Sequence, residues 1–145
     1  MHPSSVVAVV VAGIYAVLSA MHVLWALGVK WGGTSVVPEV RGAPAFVPGT
    51  LATAGVAVAL AAAAYLVMAR AGLAPSPVSP WLLRIGCVVL GAVFVLRAIG
   101  EFRLVGFFKS VKGTSFARWD SYLFSPLCLA LGVTVLWLAS VEPNQ

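Results

Sequence analysis

Four ionisable side chains, His22, Arg97, Glu101 and Asp120, stand in or beside stretches that are otherwise almost wholly apolar. Arg97 and Glu101 are four residues apart, the spacing that brings two side chains together on one helix face. Tyr15, Ser19 and His22 recur at helical spacing, and Trp25 extends that stripe. Trp119 and Tyr122 flank Asp120. Together these residues outline a small intramembrane pocket. A carboxylic acid kept from water holds its proton to higher pH and can deliver it to an alkene, epoxide or carbonyl. On that chemistry Glu101 or Asp120 would be the acid, His22 the proton relay, and Arg97 the group that decides which carboxylate stays ionised. Tyr15, Ser19, Trp25, Trp119 and Tyr122 would line the ligand site, the ring faces of Trp25, Trp119 and Tyr15 turned to developing positive charge. The competing reading is structural: Arg97 locks the bundle by pairing with Glu101 or Asp120, His22 bonds a neighbouring helix, and Asp120 caps one.

The elements that must position these groups follow from composition. Of the 145 residues 61% are hydrophobic and only 9% charged, more apolar surface than a soluble domain of this size hides from water. Four windows are long enough to span a bilayer core: Val6 to Gly28, Thr50 to Ala69, Trp81 to Gly100 and Ser121 to Ser140. Each makes about 30 Å of helix. The expected fold is all-α, an integral membrane four-helix bundle forming a single transmembrane domain over residues 1–145. No Lys or Arg precedes the first window, so it reads as a retained span rather than a signal peptide.

Charge sets the orientation. Lys30 and Arg41 follow the first span, and Arg103, Lys109, Lys112 and Arg118 follow the third, whereas only Arg70 and Arg84 belong to the other side. The positive-inside rule places those two connections in the cytoplasm and both termini outside, in a multi-pass protein of the cell inner (plasma) membrane. Trp81 and Trp137 mark the outer boundary, and Trp25, Trp31 and Trp119 the inner one. The net charge of +5 is then a topology and anionic-lipid signal, and nucleic acid is not an expected partner. Aromatic and basic residues interleave between the third and fourth spans, as in interfacial anchors.

Ala12, Ala16 and Ala20 give the first span a face for close helix packing, and the alanine-rich second span reads as structural. Pro38, Pro44 and Pro48 forbid a continuous helix over residues 29–49, which form either a lid over the cytoplasmic mouth or a connector. Asp120 and Ser121 resemble a helix start. Cys87 and Cys128 fall near opposite faces of the membrane, so a disulfide between them is not expected. Two histidines, one at the terminus, and the lack of any ligand motif give no basis for a metal site, haem or other cofactor.

"HVLWALG" at 22–28 and "LRAIGEFRLVGFFKSVKGTSFARWDSYLFSPLCL" at 96–129 resemble a family of small bacterial membrane proteins catalogued as domain of unknown function 3995. The resemblance implies four transmembrane helices and a bacterial host, and brings no activity. The leading functional expectation is a site for a lipophilic small molecule at the cytoplasmic end of the bundle, with acid–base isomerisation or cyclisation as its catalytic form. Alternatives are a proton-coupled transporter working as a homo-oligomer, and an accessory subunit of a larger membrane complex.

Overall fold

The computed structural model describes residues 2–29, 32, 36–40 and 43–142. Four helices are long and apolar enough to cross a membrane: α1 (Pro3–Ala26), α2 (Thr50–Arg70), α3 (Pro80–Ile99) and a fourth span, Ser115–Ser140. The fourth span consists of α4 (Ser115–Trp119), a π turn (Asp120–Phe124) and α5 (Ser125–Ser140). Between α1 and α2 a two-residue strand β1 (Glu39–Val40) pairs antiparallel with β2 (Ala43–Pro44). This is a multi-pass membrane protein of all-α fold.

The helix starts follow local chemistry. Pro3 and Pro80 occupy first-turn positions, where a missing N–H costs no helix hydrogen bond. The fourth span begins earlier than its hydropathy suggests. Asp120 and Ser121 are not its start: Thr114 is the N-cap, its hydroxyl accepting from the Ala117 amide at 3.0 Å, and Asp120 lies a turn inside. Pro126 then has no N–H to offer the carbonyl four residues back and its ring crowds that carbonyl. The turn before it is wound wide, with the Ser125 amide donating to the Asp120 carbonyl.

Packing organises the chain as two hairpins. α1 lies along α2, and α3 along α5, while the two pairs meet over a smaller area, mainly between α2 and α3. In the first hairpin Ser19 Oγ donates to the Ala57 carbonyl at 2.8 Å. In the second, Gly91 and Gly132 abut: a Cβ on either would stand 2.9 Å from the other's carbonyl oxygen. The core between the hairpins holds Tyr15, Val67, Cys87, Leu131 and Val135, with Tyr15 edge-on to Phe94 at 5.1 Å between ring centres. Only 17–33% of each span's apolar window is buried, so most of the helix surface requires lipid as its solvent.

Two expectations about packing change. Of the alanine face on α1, Ala12 is buried but Ala16 and Ala20 are exposed, so neighbouring helices cover only part of it. Arg70, expected as an outer-loop charge, is buried at the end of α2 and donates to the Ala139 carbonyl at 3.3 Å and to the Val141 carbonyl. It ties the second helix to the last turn of the fourth span, where a cation is favoured by the helix dipole. Lys30, Trp31 and Arg41 lie outside the described residues.

Candidate functional site

The site forms where α3 ends. Gly100 takes φ +88°, a backbone geometry that L side chains rarely adopt, and the helix stops at Ile99. The chain then folds back under the helix. The Phe107 amide donates to the Ala98 carbonyl at 2.8 Å, satisfying one of the acceptors that a helix end leaves open. The return requires two glycines face to face: a Cβ on Gly106 would meet the Gly100 Cα at 2.4 Å, and one on Gly100 would meet the Val105 oxygen at 1.8 Å.

This fold-back delivers Lys109 and the Gly106 amide to Asp120, whose residue is fully buried. Asp120 Oδ1 accepts from Arg97 Nη2 at 3.0 Å. Its Oδ2 accepts from the Gly106 amide at 2.8 Å and from Lys109 Nζ at 3.0 Å. Lys109, itself only 4% exposed, donates also to the Gly106 carbonyl at 2.9 Å and to Ser121 Oγ at 2.7 Å. All three ammonium hydrogens therefore have acceptors, the condition under which a buried lysine is tolerated.

Beside the cluster runs an open groove of about 560 Å³, lined by Pro38 and Phe46 of the first connection and by Leu96, Arg97, Gly100, Glu101, Leu104 and Val105. Its walls are apolar except for one guanidinium and one carboxylate. The proline-bearing connection thus reaches over the charged end of the bundle through two of its side chains.

The sequence-predicted residues divide. Arg97 and Asp120 meet, but Arg97 and Glu101 do not pair, because Gly100 ends the helix that their four-residue spacing presumed. Glu101 is exposed instead, and its Oε1 accepts from the Leu104 amide at 2.7 Å, closing the first turn of the loop. His22 donates from Nδ1 to the Leu18 carbonyl of its own helix at 2.8 Å, with its ring edge-on to Trp25 at 4.9 Å, rather than bonding a neighbouring helix. Ser19 binds α2, and Tyr15 lies in the core. Trp119 and Tyr122 project away from the buried face at 50% and 84% exposure, since Asp120 occupies the inward position of their turn. In the sequence, the neighbours of Lys109 place it in the basic interfacial loop. Gly100 and Gly106 are residues at which a turn can form, but no local signal marks Lys109 for burial.

The family model described as Protein of unknown function (DUF3995) matches residues 15–135. The chain belongs to this family. No curated protein and no solved structure matches it. The DUF3995 match runs from Tyr15 past Ser125, so the ion cluster and every lining residue of the groove fall inside it. Membership supplies the family and carries no activity with it.

Proposed function

We propose that the protein binds a lipophilic small molecule in the groove at the charged end of the bundle and acts on it by acid–base chemistry. The observation that carries this reading is the lining: an apolar surface interrupted by one cation, Arg97, and one carboxylate, Glu101. Ligand sites typically combine apolar walls with a few polar groups that fix orientation. Arg97 is held by Asp120, so its direction is set before any ligand arrives. Glu101 is the proton-carrying group on this reading, because Asp120 is committed as the counter-ion of two cations. Lys109 and Gly106 are positioning groups. Tyr15, Ser19, His22, Trp25, Trp119 and Tyr122 lie outside the groove's lining and have no part in this form of the proposal.

The test is to purify wild type, Glu101→Gln and Leu104→Trp in mild detergent and to identify retained molecules by native mass spectrometry and solvent extraction. The expected result is a defined lipophile on wild type, lost when tryptophan fills the groove, and retained in altered amount or chemical form by Glu101→Gln. A folded wild type that retains no defined molecule, or an unchanged complement in Leu104→Trp, would overturn the proposal.

A further inference from the structure

Among the described residues, four buried side-chain atoms have no hydrogen-bond partner: Tyr15 Oη, Arg70 Nε, Arg97 Nη1 and Ser125 Oγ. Two of them, Arg97 Nη1 and Ser125 Oγ, lie toward the same end of the bundle. Arg97 stands six residues beyond Gly91 on α3, and Ser125 seven residues before its packing partner Gly132 on the antiparallel fourth span. At the helical rise these are about 9 and about 10 Å toward the charged end, so the two lie at one depth. The π turn strengthens the juxtaposition. A bond from the Ser125 amide to the Asp120 carbonyl stacks residues five apart on one face, and both are fully buried. Ser125 therefore sits one turn above the carboxylate that holds Arg97.

Each unpartnered atom carries hydrogen to donate, and the guanidinium can only donate. The charges do not balance either: among the described residues Arg97 and Lys109 form ion pairs with Asp120 alone, which leaves one positive charge in excess. Glu101, the other acid nearby, is exposed and turned to the Leu104 amide. Such an excess at a membrane-buried site calls for an anion.

We infer that Arg97 Nη1 and Ser125 Oγ form a site for a single carboxylate group. Its charge neutralises the cluster, and its oxygens take the two free donors. Arg97 also lines the apolar groove and its side chain is 35% exposed, so a head group reaches the covered Nη1 and Ser125 Oγ from the groove side, with the guanidinium shifting to admit it. The occupant is thus a carboxylate carried by an amphiphile whose chain lies along the groove, or the same group on a small free acid. The inference rests on the proposed reading of the groove and names the head group of its ligand.

Thermal unfolding of delipidated protein in a non-ionic detergent tests it, with decanoate below its micelle concentration, decanol and acetate as probes. Decanoate is expected to raise the midpoint and decanol not to. Ser125→Ala, which removes a hydroxyl with no partner, is expected to unfold like wild type without ligand but to bind decanoate about tenfold more weakly. Arg97→Lys is expected to weaken it similarly, since a lysine cannot reproduce the guanidinium fork. Stabilisation by acetate at matched occupancy assigns the site to a free acid, and stabilisation by decanoate alone to an amphiphile. Equal effects of decanoate and decanol, untouched by Ser125→Ala, would overturn the carboxylate site while leaving the groove reading intact. No effect of any probe overturns the carboxylate site, and the native mass spectrometry then decides the groove reading separately.

Discussion

Asp120 is the residue on which the charged end depends. Its two oxygens take three hydrogen bonds from elements that are otherwise only sequence neighbours by accident: a helix end, a loop amide and a loop lysine. Replacing one member of a buried ion cluster leaves the others uncompensated, at a cost of about 3 to 5 kcal/mol. Asp120→Asn should therefore lower the unfolding midpoint strongly in detergent, whereas Glu101→Gln should leave it within about 0.5 kcal/mol of wild type, since Glu101 is exposed. Lys109→Met added to Asp120→Asn should restore part of the loss by removing one of the two orphaned cations. If the double variant is less stable than Asp120→Asn alone, charge imbalance is not what destabilises the single variant.

At the scale of elements, glycines decide how closely helices and loops approach. Gly132→Ala places a methyl group 2.8 Å from Val95 Cγ2 and 2.9 Å from backbone atoms of α3, with no flexible chain end to yield on the backbone side. The expected loss is about 1 to 3 kcal/mol. Gly13, also helical, has nothing within 4 Å of such a methyl, so Gly13→Ala should leave stability unchanged or raise it by up to about 1 kcal/mol. Comparing the two by thermal unfolding separates helix propensity from interhelical contact, and equal effects would contradict the close Gly91 and Gly132 packing. Gly106→Ala meets both a positive φ and the backbone of Gly100, and should undo the fold-back that carries Lys109.

For the whole molecule, the four spans return the chain to the side where it began, and the charged loop and the short connection after α2 lie at opposite ends. Lys112 and Ser76 are positions in those two connections, and Lys112 is exposed. In intact cells a membrane-impermeant maleimide should label Ser76→Cys and spare Lys112→Cys until the membrane is opened, if the lysine- and arginine-rich connections face the cytoplasm. Background reaction should be low, because Cys87 is fully buried and Cys128 lies within the fourth span. The reverse labelling would invert the orientation while leaving the fold intact.

Hydropathy and length were enough to determine four helices, because a window of some 20 apolar residues has few other solutions in or out of water. Proline placement marked the break in the first connection, and the structure puts Pro3 and Pro80 in the first turns of two helices. The sequence offered Glu101 or Asp120 as the partner of Arg97, and Arg97 pairs with Asp120 while Glu101 is exposed. Only tertiary structure decided the rest. The four-residue spacing of Arg97 and Glu101 is a statement about a helix, and the helix ends between them at a glycine. Lys109 looks like any interfacial lysine until the loop return makes it a counter-ion, and Ser125 gains its place above Asp120 from a π turn that no side-chain periodicity announces. The glycine stop and the π turn before Pro126 have local causes, but which side chains they bring together depends on how the loop and the third and fourth spans approach one another, which local propensity does not encode.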